Sequence, residues 1–335
     1  MIDLIAAENA LKDIYLPVIS NKLDNCSTLM SKLTKTSNNV YGKNVMFPDE
    51  NNNLHVLPLA SIYCDLKFSE KAIKYARQSS CAFVNLIIDE VESGIVRTSF
   101  EIKRQLISDG SCKLAKVSTI SDTGTIFANS VKNILPDTYI MIRDKAGNVN
   151  YRGKVINRCY NTCELIFEDN VNFNTLNINE DDDIISDNPI ELVGLKYFCA
   201  NHQKCADNSL YNAVYKCLAQ NDGDLIICDH ITKQKLFKEM LDMGIKAEIN
   251  IDGDLITEDG VTITADIRVD DIYILNTDYL QLAQLEDWLW LSDDENNILR
   301  FDPNHKVYNA TLVKYCQVIC TDFSKQIKLS IREDQ

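Results

Sequence analysis

The stretch that decides the fold is SCAFVNLIIDEVESGIVRTSFEIKRQLISDG, residues 80–110. Phe83, Ile87, Val91, Ile95, Ile102 and Leu106 recur with a period near 3.6, and Thr98 stands in the one gap. Ser80 can cap the start, and Asp109-Gly110 can end the helix with a left-handed residue. No proline interrupts it, although Ser93-Gly94 could bend it. At 1.5 Å per residue such a helix spans on the order of 40 Å. The mean helix has only about 11–12 residues. A rod of this length is a spine from which separate lobes can hang. Periodicity alone equally allows a long core helix of an ordinary α+β protein.

Composition narrows the classes. The 335 residues suffice for two or three lobes. No run approaches 18 consecutive apolar residues, so no membrane span is expected. Residues 1–11 lack the basic region and apolar core of a secretory signal. Acidic residues number 49 against 34 basic ones, a formal net charge of −15. Gripping phosphates needs a basic face, so direct, sequence-specific nucleic-acid binding is not expected. Such acidity favours solubility instead. Twelve cysteines sit mostly inside apolar runs (Cys64, Cys81, Cys217, Cys228, Cys316, Cys320), as small buried thiols in a reducing compartment would.

The end of the spine carries a resemblance. Glu90, Glu92 and Arg97, then Arg104-Gln-Leu, then Ser108-Asp-Gly-Ser111 resemble the close of the spine helix in tailed-bacteriophage major capsid proteins of the Hong Kong 97 fold. A second segment, Asn188-Pro-Ile-Glu-Leu-Val-Gly-Leu-Lys-Tyr-Phe198, resembles that family's E-x-x-G-L motif through Glu191, Gly194 and Leu195. The resemblance implies an α+β chain with an N-terminal arm (1–35), an extended loop (36–77) and a spine helix of the peripheral domain (78–112). An inserted small β-domain (113–188) would follow, then peripheral-domain residues 189–204, an axial domain (205–284) and peripheral return strands (285–335).

The residues themselves fit that order. Leu4, Ala7, Leu11, Ile14, Tyr15, Val18 and Ile19 give an amphipathic helix kinked or restarted at Pro17, continued by Leu29, Met30 and Leu33. That face can dock on its own domain. The family instead implies an arm crossing to neighbours. The arm begins almost at Met1, so a scaffolding segment is expected to be missing or replaced by a separate scaffold protein. Residues 40–47 and 54–68 read as strands around a polar tip at 48–53. Lys43 lies in this loop, where some family members cross-link a lysine to an asparagine. No catalytic glutamate can be placed for that reaction here. Short strands at 139–143, 151–156 and 163–167 suggest a barrel or sandwich, with 179–183 as a solvated boundary. Helices at 208–219 and 232–243 alternate with strands at 223–229, 262–268 and 271–276. Strands at 310–320 and 326–331 are expected to complete the spine sheet.

Chemistry is sparse. Cys199-x2-His202-x2-Cys205 is the best metal cluster, with Cys159-x3-Cys163 and Cys316-x3-Cys320 as lesser pairs, yet no fourth zinc ligand is specified. Of His55, His202, His230 and His305, only His230 stands at a strand-to-helix switch where ligands bind. Helix capping or surface exposure explains it as well. The acidic runs 179–183 and 293–295 lack calcium-loop spacing. No catalytic, cofactor-binding or metal residue is therefore assigned.

The resemblance implies a non-enzymatic major capsid protein. It would assemble with itself into pentamers and hexamers around double-stranded DNA, with scaffold, portal and decoration proteins as partners. It would belong to the virion and assemble in the bacterial host cytoplasm. Two alternatives stand beside it: a nanocompartment shell of the same fold, and a small-ligand α/β enzyme carrying a β-domain with a pocket near His230.

Overall fold

The computed structural model describes residues 2–76, 80–169, 171–199, 201–204 and 209–330. Ser80 as a cap, Leu4 and Phe83 as stripe members, Cys81 as a buried thiol, and Cys205 and Asn208 lie outside the described residues and side chains. The chain divides into two compact units, residues 1–103 with 277–322, and residues 104–276 with 323–335.

The first unit begins with α1 (Ile2–Ala10), a π turn (Leu11–Tyr15) and α2 (Leu16–Asp24). Proline cannot donate a backbone hydrogen bond, so a helix reaching Pro17 must adjust. Here the adjustment is the π turn, in which Leu16 N–H bonds Leu11 O. Ser27 caps α3 (Thr28–Lys32), its hydroxyl accepting from Met30 N at 3.1 Å. The strands β1 (Thr34–Thr36), β2 (Val40–Tyr41), β3 (Asn44–Pro48), β4 (Leu54–Pro58) and β5 (Ala60–Ser69) follow, then α4 (Glu70–Ala76) and α5 (Ser80–Ile107).

Helix α5 is the expected spine and runs unbroken through Ser93-Gly94. Ile87, Val91, Ile95, Thr98, Ile102 and Leu106 are buried along it. Strand β5 alternates buried Ile62, Cys64, Leu66 and Phe68 with exposed Tyr63, Asp65 and Lys67. Gly94 faces that buried side, and a Cβ there would run into the Leu66 side chain.

In the second unit come β6 (Lys113–Ile120), β7 (Ile126–Ala128), β8 (Thr138–Arg143), β9 (Val149–Arg158), β10 (Glu164–Phe167) and β11 (Asp183–Ser186). They close into a six-stranded barrel, in the order β10-β7-β6-β11-β8-β9. Ile126, Ile134, Ile140, Ile142, Val155 and Ile184 fill it. Tyr151, Phe167 and Phe173 meet there with ring centroids 4.9–5.3 Å apart.

The chain continues through α6 (Leu195–Phe198), β12 (Asn201–Lys204), α7 (Leu210–Asn221), β13 (Leu225–Cys228), α8 (His230–Asp242), β14 (Ala247–Ile249), β15 (Leu255–Thr257), β16 (Thr262–Ala265) and β17 (Ile272–Leu275). Back in the first unit lie β18 (Leu280–Gln284), β19 (Leu289–Trp290), β20 (Arg300–Asp302) and β21 (Val307–Cys320). Finally β22 (Gln326–Ser330) returns to the second unit.

Among the described residues, β21 organises the first unit's main sheet. It pairs antiparallel with β5, from Val307 opposite Ser69 to Cys316 opposite Ala60, and also with β18, β19 and β20. In the second unit the strand order is β12-β22-β17-β13-β16-β15-β14. Helices α7 and α8 pack Val214, Cys217, Leu236 and Met240 against Ile226, Ile263 and Ile274.

Three sequence expectations change. Residues 54–68 are two strands. Pro58 closes the β3–β4 ladder, Leu59 N bonds Lys43 O, and β5 leaves to pair with β21. Residues 326–330 join β17 and β12 in the second unit and do not complete the spine sheet. All four residues of β17 are buried, so it takes a strand on each side, β13 and β22. Buried amides hold that crossing, Gln326 Nε2 donating to Asn276 O at 3.1 Å and Asn221 Nδ2 to Ile274 O and Lys325 O, each at 3.0 Å. Residues 280–284 pair with β1 and β21, so the α/β region gives way near Asn276 and not at 284.

One turn chemistry recurs. Asp49, Asp144 and Asp293 each accept, through Oδ1 at 2.8 Å, the backbone N–H of the asparagine four residues on: Asn53, Asn148 and Asn297. The residue before each asparagine has positive φ: Asn52, Gly147 and Asn296. All three carboxyls are held below the ordinary range, Asp49 and Asp144 chiefly by the side-chain amide of that same asparagine and Asp293 chiefly by the Asn297 backbone N–H.

Candidate functional site

The two motifs behind the resemblance meet in space. The Arg104 guanidinium forks onto Glu191, Nη1 to Oε2 at 2.9 Å and Nη2 to Oε1, with the side chains 3% and 0% exposed. Gln105 Oε1 accepts from Leu192 N at 3.0 Å, and Gly194 N donates to Ser108 O at 3.1 Å. Segment 191–194 is therefore tied to two side chains of the last turn of α5 and to the Ser108 carbonyl just beyond it. Gly194 is required by close approach, because a Cβ there would overlap the carbonyl oxygens of Gln105 and Leu106. Gly110 takes the expected left-handed conformation, φ +78°. This clasp holds a helix end mechanically. Its cation and anion are spent on each other.

A second cluster anchors the N-terminal helices. Asp24 Oδ1 accepts from Lys314 Nζ at 2.8 Å and from Trp288 Nε1 at 3.0 Å, and Oδ2 from Lys35 Nζ at 2.6 Å. Lys314 is fully buried in β21, its ammonium 5.6 Å from the Trp288 ring centroid. Burial raises the Asp24 pKa, but the hydrogen bonds from Lys314 and Lys35, with the Lys314 charge, outweigh it and leave the pKa low. Nearer the start, Glu8 Oε1 accepts from Ile298 N at 2.8 Å, and Lys12 donates to Asn296 O at 3.1 Å. Leu11, Ile19 and Leu23 are fully buried within the chain. Of the expected stripe, Ala7, Leu11 and Ile19 are thus covered by the arm's own unit, the docking alternative, and Ile14 and Val18 are not. Ile5, Ile14 and Val18 remain exposed on the other side. Nothing in the sequence marked Asp24 or Lys314, whose partners lie 290 residues apart.

Other exposed apolar side chains are spread over both units. Tyr41, Leu54 and Val56 lie on the three-stranded sheet β2-β3-β4. Ile231 and Leu241 lie on α8, and Ile249 and Ile251 on or beside β14. The β14–β15–β16 meander was missed in the sequence, although Asp252-Gly253 marks its first turn and Asp259-Gly260 its second, both glycines having positive φ.

The candidate chemical groups do not converge. Among the described residues, no three His, Cys, Asp or Glu side chains are placed to share a metal ion. Cys199 is buried and His202 exposed on β12. Burial pushes the Cys64 and Cys112 thiols up to about 11, and those of Cys228 and Cys316 to about 12, so these thiols are unreactive. His230 is exposed in the first turn of α8. Asp229 beside it is the cap, Oδ1 accepting from Ile231 N and Thr232 N at 2.8 and 3.1 Å. In the 179–183 run, Asp182 caps Asn179 N, and Asp183 pairs with Lys113 and Arg143. The 293–295 run belongs to the Asp293 turn. Lys43 is exposed in the β2–β3 turn. No helix among the described residues is long and apolar enough to cross a membrane.

No family model and no curated protein matches the chain. Among solved structures, a chain of the holo-SrpI encapsulin complex from Synechococcus elongatus PCC 7942 superposes with a TM-score of 0.50. The match covers 93% of this chain and 90% of that one, at 9% identity. The chain has a Hong Kong 97-like capsid fold. The satellite phage P4 procapsid (TM-score 0.45, 9% identity, 94% and 99% covered) and the capsid of Myoviridae phage XM1 (0.44, 10%, 92% and 92%) are also similar. The fold assignment rests on the first.

Proposed function

We propose that this chain is a phage major capsid protein that works by tiling. Copies would form pentamers and hexamers and close an icosahedral head around double-stranded DNA. The observation that supports this reading is the likeness in fold, over nearly the whole chain, to a subunit of an encapsulin complex. The 36–77 loop, the exposed side of the N-terminal helices and the edge of the α/β region would make the contacts. Each contact is small, and multivalency raises effective concentration once a lattice begins. Residues 113–188 would be the inserted β-domain and 205–276 the axial part. Scaffold, portal and decoration proteins are the expected partners. The protein would assemble in the bacterial host cytoplasm, reside in the virion and carry out no turnover.

Expression followed by gradient sedimentation and negative-stain microscopy tests this. Shells, rings or tubes are expected; a persistent monomer of tens of kilodaltons refutes it and leaves the α/β enzyme reading. One observation favours a second shell reading: the chain that superposes at a TM-score of 0.50 comes from an encapsulin complex. A nanocompartment would contain protein cargo, and a phage head nucleic acid, so ultraviolet absorbance and gel analysis of purified particles separate them.

A further inference from the structure

The barrel's outer face carries a groove of about 390 Å³ that neither shell reading uses. It crosses four neighbouring segments. Asp187 N donates to Tyr139 O at 3.3 Å, Tyr139 on β8 stands opposite Lys154 on β9, and Glu168 N donates to Lys154 O at 2.9 Å. Asp187, Tyr139, Lys154 and Glu168 thus form a row across the strands. With strands about 4.8 Å apart, the row is about 14 Å long. Tyr139 is 55% exposed, so its ring is available as a platform. Arg152 is held by Asp187 at 2.5 Å and Lys154 by Asp137 at 2.8 Å, and Glu168 and Asp169 complete one wall.

That arrangement has a particular chemistry. A pyranose presents an apolar C–H face and a rim of hydroxyls that both donate and accept. An exposed aromatic ring serves the first at low conformational cost. Fixed cations and carboxylates serve the second through charge-assisted hydrogen bonds. Three carboxylates against two cations disfavour a polyanion such as nucleic acid. A groove with one ring and otherwise charged walls offers little to an apolar peptide. Faces of small barrels are used elsewhere to bind oligosaccharides. We infer that this face of the barrel binds a neutral hexopyranose oligosaccharide, laid across β8 and β9 with one sugar stacked on Tyr139. The inference does not depend on shell formation, because the groove lies wholly on the barrel.

The test uses the full-length protein, with maltohexaose, cellohexaose and chitohexaose as probes. Saturation-transfer NMR and titration calorimetry are the readouts. At least one probe is expected to bind. Tyr139→Ala should weaken it at least tenfold and Glu168→Gln several-fold, while Tyr160→Ala, exposed on the β9–β10 turn, should leave it unchanged. Melting temperatures of the variants check that each remains folded. Absence of binding by all three probes, or affinity unchanged in Tyr139→Ala, overturns the inference. So does a decalysine peptide that occupies the groove where the sugars do not.

Discussion

Removing the Asp24 charge isolates the anchor of the N-terminal helices. Lys314 is fully buried, and its ammonium has Asp24 at 2.8 Å, with the exposed Asp287 only at 3.9 Å. Breaking a buried pair by removing one partner costs about 3–5 kcal/mol. Two features lower that figure here: Asp24 keeps 16% side-chain exposure, and an asparagine would still accept from Trp288. Lys35 and Asp287 are exposed enough to add at most about 1 kcal/mol. Asp24→Asn should therefore cost about 2–3 kcal/mol. Lys314→Met leaves a carboxylate that water and Lys35 can reach, and should cost about 1–2 kcal/mol. The double variant leaves neither charge stranded. It should fall short of the sum by about 2 kcal/mol, the coupling that a double-mutant cycle reads. Urea unfolding of unassembled protein, followed by tryptophan fluorescence, suits the question because Trp288 is in the cluster and only two tryptophans exist. The pH dependence has a definite sign. The folded pKa lies below the ordinary one, so the stabilisation is complete above about pH 4 and is lost as pH falls through the folded value. Asp24→Asn should remove that acid-side slope. Additive costs, or a loss under about 1 kcal/mol for Asp24→Asn, would refute the reasoning.

The clasp predicts a similar loss. Glu191→Ala should cost about 3–5 kcal/mol by thermal unfolding, and Arg104→Lys should not rescue the site because an ammonium cannot fork. The two contact glycines should differ. Gly194→Ala meets backbone carbonyls and should prevent a stable fold, whereas Gly94→Ala meets only the end of Leu66. Overpacking there, about 1–3 kcal/mol, is offset by about 1 kcal/mol of helix propensity, so a folded protein with a slightly lower Tm is expected. With a net charge of −15, assembly should improve with added salt or magnesium, since charges are screened beyond about 8–10 Å at physiological ionic strength. Sedimentation indifferent to salt would contradict that.

Local patterns were legible in the sequence and long-range pairings were not. The α5 stripe is a period of a few residues, and Ile87 to Leu106 are buried where that period places them. The Asp-to-Asn turns are five-residue motifs, and their polar composition was visible. By contrast β5 and β22 are both ordinary alternating strands. Their partners lie far along the chain, β21 for β5 and both β17 and β12 for β22, and no local pattern carries that. The chemical candidates failed for a related reason. Spacing made Cys199, His202 and Cys205 look like a cluster, but the helix-to-strand change between α6 and β12 leaves Cys199 buried and His202 exposed.

The clasp explains why two short motifs, each weak alone, were informative together. Between Arg104 and Glu191 lies the whole barrel, a closed element with its own core. Its ends come back together, Ser186 N donating to Cys112 O at 2.8 Å, so the polypeptide leaves the helix end and returns to it at nearly one point. An excursion with adjacent ends adds little closure cost as it lengthens, about 0.6 kcal/mol per doubling. The host therefore tolerates it, provided the junction is rigid. The forked ion pair, the Gly194 backbone contact and the left-handed Gly110 supply that rigidity, and each demands one residue type. The junction geometry constrains Arg104, Gly110, Glu191 and Gly194 directly, and these four positions carried the reading from either side of the barrel.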